Sequence, residues 1–271
     1  MKSHAKTLLH ASIFFSILLY SEVESMSNTL IGISEINKYR DIGVTTVLRE
    51  TLPDSIMPVF EVLALLGDLW IVLAVIGIVW LTDVYRGVSN IDQAELCTDR
   101  TGYFIGIVIG GLALAVVLKA VFALPRPPTA LQATPRAGFG FPSGHTMAAA
   151  VVWTSLALWS HIGVRRIRVL GAGVIIGLVA LSRLALGVHY LVDVVASIGF
   201  GIGYLILAAW LTGRDPLLMF SSAIGIGILA FIVSEASRDG QLALVGTVGT
   251  ALGWWALKRL STRKWIHEHV Y

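Results

Sequence analysis

Repeated apolar runs, each long enough for a membrane-spanning helix, constrain the fold of this chain more than any other feature. The runs occupy residues 57–81, 102–124, 143–161, 167–186, 191–211, 217–234 and 241–257. About 30 Å of hydrocarbon requires roughly 20 residues of helix, which each run approaches and the last meets least well. The sequence therefore predicts an all-α polytopic membrane bundle of about seven spanning helices, with a core of five or six.

The composition supports a membrane protein and disfavours a nucleic-acid partner. Only 14% of the 271 residues are charged and the mean hydropathy is +0.79, whereas a soluble domain carries about 25% charged residues. The net charge is only +3, and no basic run is interleaved with aromatic residues, so we expect no nucleic acid to bind. The one cysteine, Cys97, excludes a disulfide within the chain.

The chain divides into a membrane core and flanking segments. We expect the core at 57–211, and further helices with a basic tail at 212–271. Residues 26–56 are expected to lie at the interface, because 30–52 is partly amphipathic. Gly199 and Gly203 have a small-xxx-small spacing that favours close helix approach.

Residues 1–25 allow three interpretations. Lys2 and Lys6 precede an apolar stretch, 8–20, which is short for a span and typical of a signal-peptide core. The segment is a short signal-anchor, a cleaved signal, or an extension upstream of a true start at Met26.

The distribution of Lys and Arg predicts the orientation in the membrane. With seven spans, ten cations fall on the side of the VRRIR loop and the C-terminus, and five on the other side when Lys119, Arg126 and Arg183 of the candidate site are left out. We therefore expect an integral protein of the cell membrane whose C-terminus is cytosolic. The stretch FPSGHT, residues 141–146, then faces the extracytoplasmic side. The acidic loop at 81–101 argues mildly against this orientation.

Three clusters of polar residues are predicted to share that outer face. The first is KAVFALPRPP, the second is PSGH at 142–145, and the third is SRLALGVHYLVD. The 102–124 helix ends where the first cluster lies and the next helix starts there with the second. The following helix returns to deliver the third. Ionisable groups are costly in a membrane protein, so their convergence indicates a site.

The cations and the serine–glycine turn predict a phosphate-binding site. Three cations beside a helix N-terminus suit a doubly charged oxyanion. Glycine lets backbone N–H groups approach the anion, and the serine hydroxyl adds a donor. The candidate ligands to phosphate are Lys119, Arg126, Ser143, Gly144 and Arg183.

Two histidines and a carboxylate add the elements of phosphoryl transfer without a metal ion. His189 is the candidate nucleophile, and Asp193, four residues on, would orient its imidazole. His145 is the candidate general acid that protonates the leaving alkoxide and then deprotonates water. Because these roles need opposite protonation states of two imidazoles, we expect a bell-shaped pH dependence.

The three clusters together resemble the signature of the type 2 phosphatidic acid phosphatase superfamily. Its elements are Lys-x6-Arg-Pro, Pro-Ser-Gly-His and Ser-Arg-x5-His-x3-Asp, and every position is present here. The resemblance covers roughly 57–211. It implies a metal-independent enzyme with no cofactor, a phosphohistidine at His189, and a lipid phosphate or diphosphate as substrate. Protein partners are not predicted.

Two alternatives remain open, as do several single residues. A phosphotransferase would use the same site, and a transporter would place its ionisable residues near mid-membrane. Asp68 falls near mid-bilayer by residue count, and for it and Glu61 a functional role and an interhelical hydrogen bond are equally favoured. Phe139 and Phe141 are expected in the interfacial aromatic belt.

Overall fold

The computed structural model describes residue 40 and residues 43–89, 97–160 and 163–260. Within these ranges the chain is α-helical and has no β-strand, which confirms the predicted fold class. The helices are α1 Val44–Thr51, α2 Met57–Leu65, α3 Leu69–Ser89, α4 Asp99–Phe122, α5 Gly144–Trp159, α6 Arg165–Ala185, α7 Leu191–Thr212, α8 Pro216–Val233 and α9 Arg238–Leu260. Short 3₁₀ turns lie at Asp54–Ile56 and Thr129–Leu131.

Within the described ranges, five helical stretches are long and apolar enough to cross a membrane. Four of them are α4, α6, α7 and α8, and the fifth is the stretch Asp54–Ser89 that contains α2 and α3. The predicted span at 143–161 is the shorter helix α5, of 16 residues. The predicted span at 241–257 is α9, a helix of 23 residues with lower hydropathy.

The first predicted span, 57–81, is broken at 66–68. One straight helix over the 36 residues Asp54–Ser89 would be about 54 Å long at 1.5 Å per residue, far more than a bilayer. α3 alone, with 21 residues, reaches about 32 Å. Asp68 directly precedes α3, so it lies in the break between two helices and not inside one.

α4 occupies the centre of the bundle and packs against α5, α8 and α9. Its residues from Thr101 to Gly111 are all buried. The buried Tyr204 of α7 donates its hydroxyl hydrogen to the carbonyl of Ile107, 2.9 Å away. Burial of apolar surface and a satisfied polar group therefore hold α4 and α7 in register.

α5 packs against both α6 and α7, and this three-helix unit carries most of the site. A Cβ on Gly201 of α7 would lie 2.9 Å from the Cβ of Ala150 on α5, so glycine permits this close approach. Gly199 and Gly203 have no neighbour at that distance among the described residues. The close approach expected at Gly199 and Gly203 is therefore made by Gly201, which lies between them on a different face of α7.

The short helix α1 packs against α6. Its Thr45 is buried, and Arg49 donates from Nε to the carbonyl of Leu131 at 3.0 Å. This part of the predicted interfacial segment thus lies on the bundle. The predictions for 1–25 and for the rest of 26–42, apart from residue 40, lie outside the described residues, as does the tail beyond 260.

Candidate active site

The structure brings the three clusters together at one end of the bundle. Lys119 near the end of α4 approaches the start of α5, because a Cβ on Gly144 would lie 3.3 Å from its Nζ. The backbone N–H of Ser143 lies 3.5 Å from the carbonyl of Asp193 in the first turn of α7. Arg126, from the loop after α4, contacts His189. Each cluster therefore touches another through a specific pair of atoms.

His189 lies in the short loop between α6 and α7, and it is 1% exposed. Its Nδ1 is 2.6 Å from the carbonyl oxygen of Gly140 and 3.5 Å from Oδ2 of Asp193. Both neighbours are acceptors, so the hydrogen-bond network assigns the ring proton to Nδ1. Nε2 then carries the lone pair, which is the atom a nucleophilic histidine needs.

Asp193 is completely buried in the first turn of α7. Its Oδ2 accepts a hydrogen bond of 2.9 Å from the backbone N–H of Tyr190 and so caps the helix. The same oxygen faces Nδ1 of His189. Asp193, which the i, i+4 spacing suggested as the carboxylate that orients His189, is thus also a helix cap. The capping hydrogen bond fixes the position of the carboxylate beside the ring.

Arg126 is held by the backbone around the site. Its Nε donates to the carbonyl of Ala137 and its Nη1 to that of Val188, both at 3.2 Å. Nη1 also lies 3.1 Å from Nε2 of His189, where it donates to the lone pair. Burial is the largest cause that lowers the pKa of Arg126, followed by repulsion from Arg136, and Asp193 raises it.

The surroundings of His189 favour its neutral form. Burial is the largest cause that lowers its pKa, to about 4. The hydrogen bond and charge of Asp193 raise the pKa, while the positive charges of Arg126 and Arg183 lower it. The imidazole is therefore neutral, and able to attack, at neutral pH.

Arg183 supplies a buried positive charge with an unused donor. The residue sits in the last turn of α6 and is 2% exposed. Its Nε has no hydrogen-bond partner among the described residues. A buried N–H group on a guanidinium is costly without an acceptor. An oxyanion in the site would supply that acceptor.

The turn into α5 leaves donors for an anion. Ser143 is at the N-cap position, but its side chain makes no capping hydrogen bond. Instead its Oγ accepts from the hydroxyl of Thr146 at 3.0 Å, so its own hydrogen can be donated to a ligand. The first N–H groups of the helix, from Gly144 onward, have no carbonyl within the helix to bond. Such groups at a helix N-terminus are of the kind that can bind an anion.

His145 follows in the first turn of α5 and faces a residue that was not placed in the predicted site. Its Nε2 lies 3.6 Å from Oδ2 of Asp68, and each side chain is 29% exposed. Asp68 sits in the break between α2 and α3. An Asp before an apolar run is a typical helix N-cap, and that signal could have located the break from the sequence.

Two further contacts to His189 could not be read from the sequence. Thr45 of α1 donates its hydroxyl hydrogen to the backbone carbonyl of His189 at 2.9 Å. The carbonyl oxygen of Gly140 accepts the hydrogen bond from Nδ1–H. Both are backbone contacts between distant segments, and no side-chain pattern encodes them.

The other residues left open also have defined places. Glu61 accepts a hydrogen bond of 2.8 Å from Thr134, which ties α2 to the loop before α5. Phe139 is 45% exposed. Phe141 is buried and packs edge-to-face on Phe122, with ring centroids 4.9 Å apart. Phe141 thus packs inside the protein and does not present its ring to lipid headgroups, whereas Phe139 is exposed.

Comparisons with known proteins agree with the fold and the signature. Residues 100–216 match the family profile described as the PAP2 superfamily. Phosphatidylglycerophosphatase B of Bacillus subtilis (strain 168) is 42% identical over 74 residues, which span 25% of this chain and 36% of that protein.

A solved structure gives the wider comparison. It is the crystal structure of the first transmembrane PAP2 type phosphatidylglycerolphosphate phosphatase from Bacillus subtilis. The match has a TM-score of 0.54 at 23% identity and covers 71% of this chain and 96% of that one. At this identity the likeness shows a shared fold.

Proposed function

We propose that this membrane chain, whose residues 100–216 match the PAP2 superfamily profile, is a member of that superfamily and a metal-independent lipid phosphatase. The substrate is a lipid phosphate or diphosphate of the phosphatidate, phosphatidylglycerophosphate or polyprenyl diphosphate class. The name of the Bacillus subtilis relative makes phosphatidylglycerophosphate the first of these to test.

The observation that carries the proposal is the hydrogen bonding of the His189 ring. Its buried, neutral imidazole donates a hydrogen bond from Nδ1 to the carbonyl of Gly140, and its Nε2 lone pair accepts one from Arg126. When a substrate binds, the guanidinium of Arg126 can redirect this N–H hydrogen bond from Nε2 of His189 to a phosphoryl oxygen. The phosphorus would then lie against Nε2, and Arg183 and Lys119 would bind the remaining oxygens.

In the first step, Nε2 of His189 attacks phosphorus and a P–N bond forms as the P–O bond to the lipid breaks. The electron pair goes to the lipid oxygen, which takes a proton from the imidazolium of His145. Asp193 and the carbonyl of Gly140 stabilise the positive charge that the His189 ring acquires. The products are the free lipid alcohol, or the lipid monophosphate from a diphosphate, and a phosphohistidine.

In the second step, neutral His145 removes a proton from water as the water oxygen attacks phosphorus. The P–N bond breaks, its electron pair returns to His189, and inorganic phosphate leaves. His145 keeps the proton and is ready for the next cycle. The charge on the phosphoryl oxygens persists through both steps, so the same cations serve each transition state.

The donor set supports chemistry without a metal ion. Lys119, Arg126 and Arg183 surround the phosphate site, and their charges repel a cation while they neutralise the substrate. We propose further that the site faces the extracytoplasmic side and that the C-terminus is cytosolic. The support for this orientation is the excess of Lys and Arg at the opposite end of the helices.

A substrate panel on detergent-purified protein tests the proposal. We expect inorganic phosphate to be released from lipid phosphates at an undiminished rate in a chelator of divalent ions. Dependence on an added divalent ion would contradict the metal-free mechanism. The appearance of label in a new phospholipid or sugar, rather than in inorganic phosphate, would identify a phosphotransferase. Movement of lipid without phosphate release would identify a transporter.

A further inference from the structure

The break between α2 and α3 packs against α5 through three consecutive residues. The carbonyl of Leu66 accepts a hydrogen bond of 2.9 Å from Nε1 of Trp153. A Cβ on Gly67 would collide with the carbonyl group of His145, whose carbon would be 2.9 Å away. Asp68 comes next and directs Oδ2 at Nε2 of His145. The close approach at Gly67 therefore places a carboxylate beside the second histidine of the site.

The two oxygens of Asp68 have different partners. Oδ1 accepts a hydrogen bond of 3.0 Å from the backbone N–H of Trp70 and caps α3. Oδ2 is 3.6 Å from His145, within ion-pair distance but longer than a good hydrogen bond. The cap fixes the carboxylate, so the second oxygen is held toward the ring whether or not His145 is charged.

Asp68 supplies the negative charge that His145 otherwise lacks. The groups that oppose a positive charge on His145 are Arg183 of α6, His189, Lys119 of α4, and Arg136 of the loop before α5. All of these are cationic or become cationic on protonation. Asp193 is occupied by Tyr190 and His189. Asp68 also attracts Arg183. Among the described residues, Asp68 is therefore the carboxylate placed to stabilise an imidazolium at position 145.

We propose that Asp68 is a positioning residue for His145: it stabilises the protonated imidazole and holds it by Nε2, so that Nδ1 faces the leaving oxygen. This inference rests on the proposed function, because it assigns Asp68 to the acid step of that reaction. It predicts that loss of the Asp68 carboxylate slows phosphoenzyme formation most for substrates whose leaving group must be protonated.

The variant Asp68→Asn tests this role with little risk to the fold, since Asn is as good an N-cap as Asp. Formation of the phosphoenzyme is measured by rapid quench with a lipid phosphate and with p-nitrophenyl phosphate. The lipid alkoxide needs a proton, so we expect a loss of roughly 100-fold, the scale of general acid catalysis. The p-nitrophenolate leaves unprotonated, so its burst should change less than threefold.

Two controls separate position from charge. Glu61→Gln removes a carboxylate from the same segment and should leave both rates unchanged. In a His145→Ala background, Asp68→Asn should cause no further loss, because the two residues act through one proton. Equal losses with both substrates, an unchanged lipid rate, or losses that multiply in the double variant would overturn the proposal.

A readout independent of turnover distinguishes this inference from the proposed function. The ¹⁵N NMR signals of His145, assigned by their absence in His145→Ala, report the protonated fraction of its ring. That fraction should fall in Asp68→Asn at every pH where the ring of the wild-type protein is partly charged. An unchanged titration would refute the role of Asp68. A wild-type protein that releases no phosphate from any substrate would refute the proposed function instead.

Discussion

At the scale of single residues, one imidazole is prepared by contacts of three kinds. His189 loses water by burial, has its proton fixed by Gly140 and Asp193, and has its lone pair directed at Arg126. Burial alone would leave the tautomer undefined, and hydrogen bonds alone would leave the ring chargeable at neutral pH. The combination favours a neutral ring and leaves the lone pair on Nε2.

This preparation predicts a particular NMR titration. Burial and the nearby arginines lower the pKa of His189 to about 4, so protonation of the ring is lost as pH rises through that value. The ¹⁵N signals, assigned with His189→Ala as reference, should show a neutral ring with the proton on Nδ1 from about pH 5 upward. A ring that is half-charged near pH 6.5, or protonated on Nε2 when neutral, would contradict the assignment.

At the scale of elements, the break at 66–68 divides one apolar run into two helices, α2 and α3, with different lengths and contacts. α3 has the length of a span, while α2 before it packs against α6. Gly67 and Trp153 fasten this break to α5. The position of the α5 N-terminus, and with it the anion site, therefore depends on a helix remote from it in the chain.

The variant Gly67→Ala tests that dependence. Its Cβ would meet the carbonyl group of His145, and overpacking of this kind costs about 1–3 kcal/mol. We expect a lower melting temperature and a loss of roughly 10- to 100-fold in kcat, since small displacements of catalytic groups are costly. Gly77→Ala is the matched control, because its Cβ would have no neighbour within 4 Å in the described structure. Equal effects of the two substitutions would contradict the docking role.

At the scale of the whole molecule, the sequence predicts the architecture and the three clusters, because both have local signals. Apolar length and loop chemistry define the helices, and helix parity places Lys119, His145 and His189 at one end. The break at Asp68 was missed since the apolar run continues on both sides of it. The contacts of Gly140 and Thr45 were missed because they join distant backbone segments, and only the folded chain brings those together.

The proposed orientation gives a labelling experiment on intact cells. The buried Cys97 is first replaced by Ala, and single cysteines are introduced at two exposed positions. Ala130→Cys lies at the site end, in the loop after α4, and Val164→Cys lies at the opposite end, before α6. A membrane-impermeant maleimide should label position 130 on intact cells and position 164 only after permeabilisation. The reverse pattern would place the site on the cytosolic face.

The measurement closest to the central claim is capture of the covalent intermediate. Protein mixed with ³²P-labelled lipid phosphate is quenched within one turnover and mapped by mass spectrometry. The account predicts an acid-labile, base-stable phosphoryl group on His189, and no adduct or phosphate release in folded His189→Ala. Label on another residue, or undiminished turnover by that variant, would show that position 189 is not the nucleophile.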